Sequence, residues 1–272
     1  MNRTAGLWAA ALMGEKVYAK FKEEFPLLIK FIDANEDLSI QVHPYDELAK
    51  ERHNSFGKTE MWYIFQADEN ASLITGFNKP LDEDTYKIYA AENRLNEILN
   101  KEQVQAGDVY FIPAGRVHTI GKGICIAEIQ QTSDITYRIY DFDRTDDKGN
   151  KRELHTELAL KAIDYTWQDQ YKTSYTDKDN AAVELVACPY FTTNKIIMDQ
   201  KINRDYTGID SFVIYICFEG SFTLHYDGGD CVEIKKGDTF LLPAAIQKTT
   251  LIPGERSSLL EVYIGDVSRY CL

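Results

Sequence analysis

Paired cysteines are missing from this sequence. Its five cysteines (Cys125, Cys188, Cys217, Cys231 and Cys271) are odd in number and form no CxxC spacing. That argues against a disulfide framework or a zinc knuckle and predicts reduced thiols in a cytoplasmic setting. Positive charge is also scarce, since 30 Lys and Arg against 43 Asp and Glu leave a net charge of −13. Neither nucleic acid nor an anionic membrane would meet a basic face, so neither is expected as a partner. A small anionic substrate stays compatible where a few Lys or Arg converge. No apolar run is long enough to cross a bilayer. The stretch Ala5 to Met13 resembles a signal-peptide core, but it is short, follows the single charge Arg3, and precedes the poor cleavage site Gly14-Glu15-Lys16. A helix leading into Val17-Tyr18-Ala19-Lys20-Phe21 is the expectation instead.

What is present is a repeat. Gly107-Asp108-Val109-Tyr110-Phe111-Ile112-Pro113-Ala114 returns as Gly237-Asp238-Thr239-Phe240-Leu241-Leu242-Pro243-Ala244. In each copy Gly-Asp makes a tight turn, an apolar strand follows, and proline ends it because it cannot donate to a continuing ladder. Further strand-like runs precede each copy: Leu27 to Ile32, Ser39 to His43, Glu60 to Phe65 and Ser72 to Phe77, then Phe212 to Phe218, Ser221 to Tyr226 and Cys231 to Ile234. Many short strands with Gly and Asp turns predict a mainly β chain, built as two jelly-roll barrels with a few helices. The helices are expected at Asp84 to Asn100 and Glu153 to Tyr165. At 272 residues and 44% hydrophobic composition, the chain can bury two modest cores. The expected division is a first domain over residues 1–166 and a second over 180–272, with the linker near Thr166 to Asn180.

Histidine is scarce too, with five in the chain, yet two of them fall where strands could aim them inward. Gln41 and His43 are two apart in Leu38-Ser39-Ile40-Gln41-Val42-His43-Pro44, so on a strand both leave one face. Glu60 opens Glu60-Met61-Trp62-Tyr63-Ile64-Phe65, and His118 follows the turn Ala114-Gly115-Arg116. Two imidazoles and a carboxylate, with an amide oxygen to help, form the ligand set of a catalytic zinc or of an open non-haem iron site. The second copy ends Pro243-Ala244-Ala245-Ile246-Gln247 without a histidine, so the first barrel is the expected metal barrel.

These residues resemble a known family. Phe25 to Ala34, Leu38 to Pro44, Gly57-Lys58-Thr59-Glu60-Met61-Trp62-Tyr63, Pro113 to His118 and Ser133-Asp134-Ile135-Thr136-Tyr137-Arg138, in that order, are similar to the short bacterial form of type I mannose-6-phosphate isomerases, from about Gly14 onward. Short members run further upstream of Phe25-Pro26 than this sequence does. The resemblance implies two cupin-type barrels and one zinc ion per chain, held by His43, Glu60 and His118, with Gln41 as fourth ligand. It also implies that Arg138, Asp134 and Lys58 belong to the active site, and that the partner is a small sugar phosphate converted between mannose 6-phosphate and fructose 6-phosphate through an enediol. Arginine stays protonated, so Arg138 is expected to stabilise charge rather than act as a base. Lys58, Lys30 and Arg116 are candidate phosphate contacts. Two alternatives remain at this stage: a cupin Fe(II) oxygenase, and a sugar-phosphate-binding cupin without turnover.

Overall fold

The structure is a computed structural model and describes residues 9 to 265. Ala5 to Trp8 of the signal-like run, and Cys271, lie outside the described residues. Residues 9 to 13 are helical, and α1 (Glu15–Phe21) follows Gly14. Gly14 sits at φ 98°, where a Cβ would lie 2.3 Å from the carbonyl oxygen of Asp210. The Asp210 carboxylate accepts the backbone N–H groups of Glu15 and Lys16 at 2.8 and 2.7 Å, satisfying donors a helix start leaves open.

By its internal contacts the chain forms two compact units, residues 26–173 and residues 9–25 with 174–265. The first holds β1 (Leu27–Ala34), β2 (Ile40–Val42), α2 (Asp46–His53), β3 (Glu60–Ala67), β4 (Ser72–Phe77), α3 (Glu83–Ala91), β5 (Leu99–Gln103), β6 (Val109–Ile112), β7 (His118–Thr119), β8 (Ile124–Gln131), β9 (Tyr137–Tyr140) and α4 (Thr156–Ala162). Its strands form one sheet in the order β1-β8-β3-β6 and another in the order β5-β4-β7-β2-β9. Trp62, Ile64, Tyr110, Ile112, Ile124 and Ile126 of the first sheet bury against Leu73, Ile120 and their neighbours, closing an apolar interior. The outer face of the second sheet, with Ile40, Val42, Tyr137 and Ile139, packs against Tyr86 of α3 and Ala159 and Leu160 of α4. Each such fully buried side chain contributes roughly 1.5–3 kcal/mol.

The second unit holds β10 (Ala181–Ala187), β11 (Thr192–Met198), β12 (Ile202–Asp205), β13 (Val213–Glu219), β14 (Ser221–Tyr226), β15 (Asp230–Lys235), β16 (Thr239–Leu242), β17 (Lys248–Pro253) and β18 (Ser257–Tyr263). These form sheets β10-β11-β18-β13-β16 and β12-β17-β14-β15. The repeat occupies equivalent strands, since Glu60 pairs with Ile112 on β6 and Val213 with Leu242 on β16. The mainly β, two-barrel expectation therefore holds.

Helix lengths differ from expectation. Asp84 to Asn100 reads as one helix, but α3 stops at Ala91. Asn93 turns left-handed at φ 56°, and Ile98 and Leu99 are drawn into the core as the chain enters β5. Burial on a strand outweighs local helix preference there.

In the second unit the interior is closed by charge. Arg204 on β12 pairs in register with Thr249, as Gln41 on β2 pairs with His118. Its Nε and Nη2 donate to the two oxygens of the fully buried Glu261 at 2.8 and 2.6 Å, and Asn194 donates to the same carboxylate at 2.8 Å. Tyr206 adds a hydrogen bond of 2.5 Å to Glu261. Removing one partner of a buried pair strands the other charge. Glu261→Ala is expected to destabilise the protein by about 3–5 kcal/mol, read as a lower urea midpoint. A midpoint equal to wild type would show that water already screens Arg204.

Candidate active site

Backbone turns carry three inward side chains to one end of the first interior. Gln41 pairs with His118 across β2 and β7, and Thr75 pairs with His118 across β4 and β7, so the three share one face. Gly115, at φ 91°, makes the turn before His118 and donates its N–H to the carbonyl of His43 at 2.8 Å, tying the two histidine segments together. Lys58 N–H donates to the Pro44 carbonyl at 3.2 Å, and Ala114 N–H to the Thr59 hydroxyl at 3.2 Å, which brings the start of β3 alongside.

Glu60 Oε2 lies 3.6 Å from His43 Nε2, and Glu60 Oε1 lies 3.5 Å from His118 Nε2. One donor atom from each residue falls within 4.8 Å of the others, and all three side chains are buried. Donors about 2.1 Å from a common tetrahedral ion lie about 3.4 Å apart, so the spacing fits a zinc-sized cation. His43 Nδ1 bonds to the Ile135 carbonyl at 2.9 Å and His118 Nδ1 to the Arg116 carbonyl at 2.8 Å. With the ring proton spent on a carbonyl, each Nε2 lone pair is left facing Glu60. His43 Nε2 and Glu60 Oε2 are buried without any hydrogen-bond partner. Orphaned polar atoms of this kind need a ligand to offset their desolvation.

Electrostatics agree with the geometry. Burial pushes His118 down to about 4. Burial, then the charges of Lys58 and His118, hold His43 well below the usual range. Both rings thus present lone pairs at neutral pH. Burial and the nearby Glu128 carboxylate push Glu60 well above the carboxylate range, with Lys58 and Lys30 opposing. A bound cation would reverse that penalty.

Gln41 reaches the same place, with its Nε2 3.3 Å from His118 Nε2. A half-turn of the amide would offer Oε1 in its stead. Lys58 is buried with its Nζ 3.5 Å from Glu60 Oε2. Arg138 on β9 pairs in register with Gln41, its Nη1 donates to the Glu153 carbonyl at 2.8 Å, and its Nε is buried without a partner. Asp134 is solvent-exposed on the loop before β9 and is not part of the buried cluster. The loop touches the site through its backbone, with Ile135 O on His43 and Ser133 O on Gln130. The Arg116 side chain donates to the Phe111 carbonyl at 2.7 Å and stacks over Tyr171.

Two family descriptions match this chain: phosphomannose isomerase type I, catalytic domain, over residues 5–97, and mannose-6-phosphate isomerase, cupin domain, over residues 181–257. The mannose-6-phosphate isomerase of Streptococcus mutans is 36% identical over 242 residues, covering 86% of this chain and 75% of the relative. The chain belongs to the type I phosphomannose isomerase family. The mannose-6-phosphate isomerase ManA of Bacillus subtilis is 37% identical over 81% of this chain and 70% of its own length. A crystal structure of the mannose 6-phosphate isomerase from Bacillus subtilis superposes with a TM-score of 0.79 at 34% identity, covering 88% of this chain and 76% of that one.

Glu128, Gln130 and Trp62 of this family member are not among the site residues expected from sequence, and Lys30 is among them only as a candidate phosphate contact. Glu128 and Gln130 are buried on β8, in register with Trp62 and Glu60. Lys30 Nζ donates to Glu128 at 2.9 Å and Gln130 at 2.6 Å, and Trp62 Nε1 donates to Glu60 at 3.0 Å and Glu128 at 3.2 Å. A signal existed. Along one face of β8 the sequence runs Ile124, Ile126, Glu128, Gln130, and a switch from apolar to polar on a core face marks a buried polar cluster.

Proposed function

We propose that this enzyme interconverts mannose 6-phosphate and fructose 6-phosphate, moving a proton between C1 and C2 through an enediol. The observation that carries the reading is the buried His43–Glu60–His118 cluster, whose donor atoms, with His43 Nε2 and Glu60 Oε2 unpartnered, converge at the spacing of a single cation. We assign that place to one zinc ion per chain, with Gln41 as fourth ligand, and assign catalysis to the first barrel. A zinc ion there supplies Lewis acidity toward charge developing on the sugar oxygens. Arg138 adds a fixed positive charge for the enediolate. It is preorganised, so it costs no reorganisation when the charge forms. Asp134, on the loop that carries Ile135 into β9, is assigned the role of orienting that loop. Lys58 and Glu128 are the groups assigned to carry the proton, Glu128 being held in place by Lys30 and Trp62. Trp62, which bonds Glu60 and Glu128, belongs to the apolar core with Ile64 and Ile126, and that core is assigned the exclusion of water from the enediol. We assign the protein to the cytoplasm, a reading with which the four free described cysteines are compatible. No described helix is long and apolar enough to cross a membrane.

The test is a coupled assay for fructose 6-phosphate on purified protein. Turnover is expected with zinc, loss after chelation, and recovery on zinc return. Oxygen consumption with bound iron would support the oxygenase alternative. Hexose-phosphate binding by the zinc-loaded protein without turnover would leave only a binding role.

A further inference from the structure

The strand that carries Arg138 is an edge strand, since β9 ends its sheet beside β2. Edge strands are held along one side only, and their free N–H and C=O groups are where pairing frays. Arg138 lies opposite Gln41, yet its backbone groups turn away from β2. Its N–H donates to Nδ1 of His155 at 3.0 Å, and its C=O accepts the N–H of His155 at 2.8 Å. The Gln41–Arg138 pair is therefore of the non-hydrogen-bonded kind, in which facing side chains approach most closely. His155 supplies one backbone donor and one ring acceptor, and so stands in for a neighbouring strand at this single residue. Its Nδ1 can accept only with the ring proton on Nε2. Two residues earlier, the Glu153 carbonyl accepts from Nη1 of the same arginine at 2.8 Å. One short segment leading into α4 thus grips Arg138 by both backbone and guanidinium.

We propose that His155 is a positioning residue for the isomerisation, acting through Arg138 by fixing its backbone on the open edge of β9. The proposal rests on the reading of Arg138 as the charge stabiliser. Stabilising a developing charge depends on where the cation sits, so loosening its strand lowers the rate of the chemical step rather than substrate binding.

The experiment is a double-mutant cycle in the zinc-loaded full chain, reading kcat, KM and zinc content for His155→Ala, Arg138→Ala and the double variant. His155→Ala is expected to lower kcat roughly three- to tenfold, the scale of one lost hydrogen bond, with KM and zinc unchanged. His155→Asn, whose Oδ1 lies near the Nδ1 position, should restore most of the rate. In the Arg138→Ala background His155→Ala should cost nothing further. An equal loss of kcat in both backgrounds would mean that His155 acts on the fold at large, and would overturn the proposal. Slow Arg138→Ala beside a wild-type His155→Ala overturns it alone, whereas wild-type Arg138→Ala sinks the underlying reading and the proposal with it. Should alanine prevent folding, His155→Asn and His155→Gln replace it. Asparagine is expected near wild type and glutamine slow, because its oxygen is displaced by a methylene, and equal rates would refute the role.

Discussion

His118→Ala is expected to lose metal and turnover together. Among the described residues His118 is one of three His or carboxylate donors in the cluster, and the Gln41 amide lies against its Nε2 at 3.3 Å. Changing partners that merely orient a ligand already costs about 10–100-fold in metal affinity, and removing the ligand itself costs more. Zinc content by plasma emission after dialysis should fall well below one per chain, while kcat falls to background. Folding should survive, because the rest of the interior is held by Trp62, Ile64, Tyr110 and their apolar neighbours. A His118→Ala protein that retains stoichiometric zinc and full activity would remove this residue from the ligand set.

Arg138→Ala should separate binding of metal from chemistry. The guanidinium makes no contact with His43, Glu60 or His118 among the described hydrogen bonds, so zinc content should match wild type. Loss of a preorganised charge-stabilising donor typically costs roughly 10²–10³ in kcat. KM should change little, because the interaction strengthens only as negative charge develops on the substrate. Both constants are measured in the coupled assay at saturating zinc. A variant with wild-type kcat would leave the charge on the enediolate to the metal alone.

The two variants also mark how far the sequence could be read. Gln41, His43, Glu60 and His118 were visible because strand alternation and the Pro113 to His118 turn are local patterns. The Gly-Asp to Pro-Ala repeat exposed the two-barrel plan for the same reason, and strands such as Ser72–Phe77 and Ser221–Tyr226 lie where the alternation puts them. Other features were not legible. Lys30 is 98 residues from Glu128, and their hydrogen bond exists only because β1 and β8 pair in that register. A one-residue slip would turn Glu128 and Gln130 out of the interior, and it is the burial of Ile124 and Ile126 on the same face, enforced only in the assembled sheets, that opposes it.

The sequence by itself determined the strand faces, the turns, the spacing of the candidate ligands His43, Glu60 and His118, and the lack of a matching histidine after Pro243 in the second copy. These follow from side-chain period and turn chemistry, which act over a few residues. Only the tertiary structure decided which polar groups meet around that spacing: Glu128 with Lys30 and Trp62, His155 with Arg138, and Arg204 with Glu261 in the second barrel. Those partners are joined by strand register and by burial of charge, which depend on residues far apart in the chain.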